Sequence, residues 1–328
     1  MHAPDFWQID GVVARLLDPI GRVYGLAGSL RRRWIKPRSV GIPVICVGNL
    51  TAGGAGKTPT AIAIARHLQG RSTQPHFLTR GYGGCERGPL KVDPAIHDAV
   101  AVGDEALLLA RTAPTWVSAD RVAGAEAAAE AGADNIVMDD GLQNPYLARD
   151  LALLVIDGAT GFGNRRLLPA GPLREPVDQA LSRIDTAIVI GADQTGIEAH
   201  LPADLERLSA TLRPDSDVDH LKGRQFLAFA GIGRPEKFYE TLEQIGAELV
   251  KTRSFPDHHS YSPSEIRELI VEARQFDAAC ITTEKDHVRL PLNLRKSVEK
   301  LSVRLEFHEP QYLNRLLLRT LSGYAASA

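Results

Sequence analysis

The stretch Val44-Ile-Cys-Val-Gly-Asn-Leu-Thr-Ala-Gly-Gly-Ala-Gly-Lys-Thr-Pro59 decides the fold. Residues 44–47 form a short apolar, β-branched run, which predicts a buried parallel strand. Gly53, Gly54 and Gly56 then allow a tight turn that brings backbone N–H groups close to a ligand. Lys57 and Thr58 open a helix whose apolar stripe is Ile62, Ile64, Ala65 and Leu68. Strand, glycine loop and helix N-terminus together make an anion site, with amides and helix dipole aimed at phosphate. The spacing matches the nucleotide phosphate loop G-x-x-x-x-G-K-[ST], with Thr51 in place of the first glycine. Residues Thr51, Ala52, Gly53, Gly54, Ala55, Gly56, Lys57 and Thr58 are therefore expected to cradle a nucleotide. Lys57 would reach the β- and γ-phosphates and the Thr58 hydroxyl a Mg²⁺ ion. A glycine-rich turn that binds nothing would not need Gly-Lys-Thr between strand and helix.

Working outward, a strand–helix rhythm runs down the chain and predicts an α/β fold, an open parallel sheet with helices on both faces. Pro75–Thr79, Val100–Val102, Thr115–Ser118, Asn135–Met138, Leu151–Ile156 and Ala187–Ile190 read as strands. Helices are expected at 106–111 and 120–131. Residues 212–224, polar with Pro and Gly, read as a connector. A second α/β unit follows, with strands at 226–230 and 278–282 and helices at 235–245 and 262–274. The last helix, near 312–321, could return to either unit. The expected organisation is an N-terminal helical region over 1–38, a phosphate-loop unit over 39–215 and a smaller α/β unit over 216–328.

In such a sheet, ligands bind outside the carboxyl ends of the strands. Asp104, Glu105, Asp139, Asp140 and Asp157 fall at those places. Ile136-Val-Met-Asp-Asp140 has the shape of an apolar strand ending in a Mg²⁺-holding acid. Asp157 is better read as a helix cap. Phosphoryl transfer to a hydroxyl needs a proton acceptor. Asp104 is one candidate and Asp257-His258-His259 holds the other. Arg149, Arg165, Arg166 and Arg174 surround a Pro- and Gly-rich loop that suits an anionic substrate.

The 328 residues carry a net charge of −2, which argues against a general nucleic-acid binder. Residues 1–38 hold seven basic side chains against three acids. There, Ile9, Val12, Val13, Leu16, Leu17, Ile20, Val23, Tyr24, Ala27 and Leu30 recur at helical spacing, with Phe6, Trp7 and Trp34 at the ends. Asp18-Pro19 reads as the start of a second helix. The pattern fits a helix lying in a membrane interface or one docked on the protein's own core. Cys46, Cys85 and Cys280 are far apart, which suits a reducing compartment without disulfides or a zinc site. No apolar run is long enough to span a bilayer.

These motifs, taken in order, closely resemble one family. They are Gly48-Asn-Leu-Thr-Ala-Gly-Gly-Ala-Gly-Lys-Thr-Pro59, Thr79-Arg-Gly-Tyr-Gly-Gly84, Val102-Gly-Asp-Glu105 and Asp139-Asp-Gly-Leu-Gln143. Then come Gly161-Phe-Gly-Asn164, Leu168-Pro-Ala-Gly-Pro-Leu-Arg-Glu-Pro176, Phe255-Pro-Asp-His-His259 and Thr282-Thr-Glu-Lys-Asp286. The chain resembles the tetraacyldisaccharide 4′-kinases, the phosphate-loop kinases of lipid A synthesis, over roughly residues 41–290. Asn144-Pro145 replaces a His-Tyr pair usual in that family, and Ala106 a Pro. The resemblance implies ATP and Mg²⁺, and transfer of the γ-phosphate to the 4′-hydroxyl of a lipid A disaccharide 1-phosphate. It implies a peripheral enzyme on the cytoplasmic face of the bacterial inner membrane, seated there by the N-terminal helix, and no protein partner. It puts Lys57 on the phosphates, Thr58 with Asp139 or Asp140 on Mg²⁺, and makes Asp104 the base, assisted by His258. It assigns Asn49, Arg80, Tyr82, Glu105, Gln143 and Arg174 to the substrate. It leaves open whether Thr283-Glu-Lys-Asp286 reads the adenine or packs. Closure between the two units would bring Asp104 and His258 together. Two rivals share the phosphate loop: an ATPase that switches a partner, and a non-catalytic membrane adaptor.

Overall fold

The computed structural model describes residues 4–215 and 218–327, the last three by backbone alone. After a 3-10 turn at Asp5–Trp7 the elements are α1 (Val12–Arg33), β1 (Val44–Gly48), α2 (Lys57–Gln69), β2 (Pro75–Thr79), β3 (Leu90–Lys91), α3 (Ala99–Val102) and α4 (Asp104–Leu109). They continue with β4 (Thr115–Val117), α5 (Arg121–Glu130), β5 (Asn135–Asp139), β6 (Leu151–Asp157), α6 (Val177–Leu181), β7 (Thr186–Ile190) and β8 (Glu206–Pro214). Beyond these lie β9 (Gln225–Ala230), α7 (Pro235–Ile245), β10 (Glu248–Ser254), α8 (Pro263–Arg274), β11 (Ala279–Thr283), α9 (Glu284–His287), β12 (Glu299–Leu301), β13 (Val303–Phe307) and α10 (Pro310–Ser327).

Two sheets result. The larger has nine strands in the order β13-β8-β7-β6-β1-β5-β2-β4-β3, parallel except at its two edges. The smaller has four parallel strands in the order β10-β9-β11-β12. Alternation along β1 explains why its whole run is apolar. Ile45 and Val47 face a core that includes Ile64, Leu68, Leu313 and Leu317. Val44 and Cys46 face another, with Ala125, Met138 and Leu181. Thus β13 and α10 come back from the small sheet to the large one. Leu305 and Phe307 join the α2 side of its core.

The register places the chemistry. Val47 lies opposite Asp139, so the phosphate loop and the acid at the end of β5 leave adjacent strands side by side. Gly48 is required there, because a Cβ would sit 2.7 Å from Leu142 Cγ.

Three expectations are corrected. Residues 100–102 are not a strand but part of α3, capped by Asp98, whose carboxylate accepts the Ala101 amide. The sheet place beside β4 is held by β3 instead. Helix α1 does not restart at Asp18-Pro19. It runs through Pro19, and Asp18 bonds Arg22 and Arg166 rather than capping an amide. The connector begins later than residue 212, since Leu212 still pairs with Leu305 in the β8–β13 ladder. The amphipathic face of α1 is inverted relative to a core helix. Ala14, Gly21 and Gly25 face inward, while Val12, Leu16, Ile20, Val23, Leu26 and Leu30 are exposed.

Candidate active site

Gly53 and Gly56 take positive φ, 121° and 87°, a region that favours glycine. At Gly56 a Cβ would also meet Ile190 Cδ1 at 2.6 Å. Among the described residues, no backbone carbonyl receives the amides of Gly53, Gly54, Ala55 or Gly56. These four N–H groups and the α2 terminus form an open anion cradle. Ala52 is different, for its amide is donated to Pro172 O at 2.7 Å. Thr51 is bridged to Leu173. Asn49 is buried, and its side chain shapes the loop. Nδ2 donates to Thr51 O at 2.8 Å, while Oδ1 accepts from Lys57 Nζ at 3.1 Å. Gln143 donates to Asn49 O at 2.9 Å and to Glu175 at 3.1 Å. Asn49 and Gln143, two of the six residues expected at the substrate, are thus bonded to the loop.

The paired aspartates are in opposite electrostatic states. Asp139 is fully buried. Burial, then the Glu105 charge, push its carboxyl up to about 7, against the pull of Lys57. Its Oδ2 accepts from Thr58 Oγ1 at 2.9 Å, while Oδ1 has no partner. For Asp140, burial works upward but Lys57 and Arg174 outweigh it and hold it low. Lys57 Nζ is 3.6 Å from Asp140, and Arg174 Nη1 is 3.0 Å from both its oxygens. An orphaned, buried carboxylate oxygen beside a threonine hydroxyl fits a hard cation. Among the described residues no cluster of three or more His, Cys, Asp or Glu forms a closed cage. That suits Mg²⁺, which keeps waters and takes substrate phosphate oxygens.

Across the cleft stands Asp104, the expected proton acceptor. Asp104 begins α4 and is 4% exposed. Its Oδ2 is 3.0 Å from His258 Nδ1 and 3.4 Å from Arg289 Nε. Burial would raise its carboxyl, but His258, Lys285 and Arg289 overcome this and lower it to about 2. His258 sits in a left-handed turn, φ 60°, with its amide bonded to Gly231 O. Its Nε2 faces Lys285 Nζ at 3.3 Å. A neutral ring that accepts from this ammonium carries its proton on Nδ1, facing Asp104. Tyr82 packs edge-on to His258, centroids 5.4 Å apart, and is itself exposed. Glu105 meets Lys285 at 3.5 Å. Arg80 lies exposed at the end of β2.

The small sheet therefore supplies half of the site. Asp286 is fully buried and gathers Gly231 N, the Tyr261 hydroxyl and Arg289. Thr283-Glu-Lys-Asp286 is thus a packed hub that aims Lys285 and Arg289 at Asp104 and His258. The two units also meet through Arg111–Glu284 at 2.8 Å and through Asp157–Arg234. The Asp157 carboxylate accepts the Ala159 amide in a turn, not at the helix start expected of it, since no helix follows it before α6, and it carries this second bond as well.

Sequence reasoning did not assign Lys285, Arg289, Arg234 or Arg121. Arg121 is buried, with Nε unpartnered. Burial, then neighbouring Arg80, bring its guanidinium down to about 10, while the two aspartates pull the other way. Its only signal in the sequence is a base at the start of an alanine-rich helix, next to the Asp120 cap.

A parallel sheet with a Gly-Lys-Thr loop, a Thr–Asp pair beside it and a buried carboxylate across the cleft defines a phosphate-loop kinase. The family model described as "Tetraacyldisaccharide-1-P 4'-kinase" matches residues 13–322. The tetraacyldisaccharide 4'-kinase of Paramagnetospirillum magneticum is 52% identical over 97% of this chain and 98% of its own length. That of Gluconacetobacter diazotrophicus is 53% identical over 97% of each. The crystal structure of LpxK from Aquifex aeolicus, in complex with ATP, superposes with a TM-score of 0.77 at 25% identity. It covers 94% of this chain and 100% of that one. The chain belongs to the tetraacyldisaccharide 4′-kinase family, the lipid A 4′-kinases, and is a phosphotransferase of lipid A synthesis.

Proposed function

We propose that the acceptor is the 4′-hydroxyl of the tetraacyldisaccharide 1-phosphate, and that the residues of this cleft divide the work as follows. The free amides of Gly53–Gly56 and the Lys57 ammonium hold the triphosphate of ATP. Thr58 and Asp139 would hold Mg²⁺, which when bound neutralises charge on the transferring phosphoryl group. Asp140 holds Lys57 in place and is neutralised by Lys57 and Arg174. Asp104 takes the proton of the attacking sugar hydroxyl, and His258 orients it by donating from Nδ1. Lys285 and Arg289 keep Asp104 ionised through the neutral range. The observation that carries this reading is the 3.0 Å contact of Asp104 with His258 across the two units. That contact is what supports the expected closure between the units.

The organisation into a phosphate-loop unit and a smaller α/β unit is part of the same proposal, with β13 and α10 counted with the first. So is seating on the cytoplasmic face of the inner membrane. The exposed Val12, Leu16, Ile20, Val23, Leu26 and Leu30, with Trp34 82% exposed beside Arg31 and Arg33, support a helix lying in a lipid interface. No helix among the described residues is long and apolar enough to cross a membrane. The test is transfer of labelled γ-phosphate to purified lipid A precursor in detergent micelles. Lys57→Ala should abolish nucleotide binding and transfer. Asp104→Ala should bind nucleotide normally and transfer slowly. Acceptor-independent ATP hydrolysis in place of transfer would favour the switch ATPase and overturn the reading.

A further inference from the structure

We propose that α1 positions the phosphate loop, through Arg32 and Glu175, in addition to any role at a lipid surface. The proposal rests on nucleotide sitting at the Lys57 loop. Two routes lead from the inward face of α1 to that loop. In the first, Arg32 Nη1 lies 3.4 Å from Glu175 Oε2, with Glu175 1% exposed and also paired with Arg183. The other oxygen of Glu175 accepts from Gln143, 3.1 Å away, and the same Gln143 nitrogen donates to Asn49 O at 2.9 Å. Asn49 in turn holds the Thr51 carbonyl and the Lys57 ammonium. Four side chains thus link the last turn of α1 to the lysine that meets the phosphates.

The second route is the Pro- and Gly-rich loop of residues 164–176. Its Leu167 is nested so tightly against α1 that a Cβ on Gly25 would lie 2.5 Å from Leu167 Cδ1. Trp7 donates to Pro169 O at 3.1 Å, and Arg166 holds Asp10 and Asp18 at 2.8 and 2.7 Å. Farther along, the same loop accepts the Ala52 amide at Pro172 O and gives the Arg174 amide to Leu50 O at 2.8 Å. Both routes end on residues 49–52, so the loop's geometry depends on how α1 is docked.

An anchor and a positioning element differ in what their loss changes. Arg32 and Arg33 are neighbours of equal charge, but Arg33 is exposed whereas Arg32 reaches Glu175. As an anchor at anionic lipid the exposed Arg33 is worth at least as much as Arg32, whose charge is already paired. As positioning groups the order is reversed. The experiment measures affinity for a fluorescent ATP analogue with Mg²⁺, and binding to phosphatidylglycerol vesicles, on the full chain. Arg32→Ala should weaken the ATP analogue about two- to thirty-fold, the range of coupling through packed networks. Arg33→Ala should leave it unchanged and should lose at least as much vesicle binding as Arg32→Ala. Arg32→Lys keeps the charge but shortens the reach. It should recover only part of the nucleotide affinity, and it stands in if the alanine variant does not fold. Amide exchange at residues 51–57 should quicken with Arg32→Ala and not with Arg33→Ala. Equal nucleotide affinity in the Arg32 and Arg33 variants would overturn the inference. Unchanged nucleotide binding in Lys57→Ala would overturn both the inference and the reading of the loop beneath it.

Discussion

Asp139→Asn is the substitution that best tests the electrostatics of the site, because it should stabilise the protein while destroying its activity. The carboxyl is fully buried, pushed up to about 7 by burial and by Glu105, and one of its oxygens has no partner. Its ordinary value is 3.8, and the difference corresponds to about 4 kcal/mol. The sign follows from proton binding. Between pH 3.8 and about 7 the folded state holds a proton that the unfolded state has released. Stability therefore falls as pH rises through that window and stays lower above it. Asparagine mimics the protonated form and removes this penalty, but its amide leaves a buried donor unbonded, which returns about 1–3 kcal/mol. A net gain of about 2 kcal/mol at pH 8 remains, or roughly 3 °C in Tm for a chain of 328 residues. The assay is thermal unfolding of both proteins in EDTA at pH 5 and pH 8, where groups remote from Asp139 cancel in the difference. The advantage of Asp139→Asn should grow from pH 5 to pH 8, and Mg²⁺ with ATP should stabilise only the wild type. A pH-independent difference, or a variant less stable at pH 8, would show that Asp139 is not a strained acid awaiting a cation.

Other outcomes follow from the same geometry. Lys57→Ala should abolish ATP binding by calorimetry and leave Asp140 held by Arg174 alone. Asp104→Ala and His258→Ala should each lower kcat by orders of magnitude with nucleotide affinity intact, and the double variant should be little worse than Asp104→Ala. Since Asp104 is held at about 2, it contributes no acid limb to the rate profile between pH 5 and 8. In liposome flotation, Leu16→Asp with Val23→Asp on the exposed face of α1 should release the chain from vesicles, with activity on a micellar acceptor largely kept.

Much of this was legible from the chain itself, for identifiable reasons. Strand β1 and the glycines after it announce themselves because burial on both faces demands an unbroken apolar run and positive φ demands glycine. The acids at the end of β5 were found by where they fall relative to a strand, whereas Asp104 was read at the end of a strand that is in fact α3. Asp104 and His258, 154 residues apart, were paired only by resemblance, since nothing local in either segment refers to the other. Lys285 and Arg289 stayed unassigned for the same reason, their role being set by how a four-residue helix docks on α4. The false strand at residues 100–102 arose because two valines outweighed a capping aspartate just before them. The return of β13 was missed because an edge strand, with Val303 and Arg304 both exposed, has no clean alternation.

The two aspartates at the end of β5 show why neighbours of the same type can do different work. Asp139 remains in the strand, where the sheet walls exclude water and only Thr58 reaches it. Asp140 turns out of the strand through a left-handed φ of 55°, which swings its carboxylate toward Lys57 and Arg174. One backbone step thus separates an acid that burial disfavours from one that two cations favour. The first has lone pairs left for a metal, while the second neutralises the lysine and arginine until phosphate arrives to compete for them. In a regular strand end the second carboxylate would point to the opposite face of the sheet. Here the turn at Asp140 is what lets both be present in a single pocket, and replacing it by a residue that resists positive φ would disturb Lys57 as well as the charge.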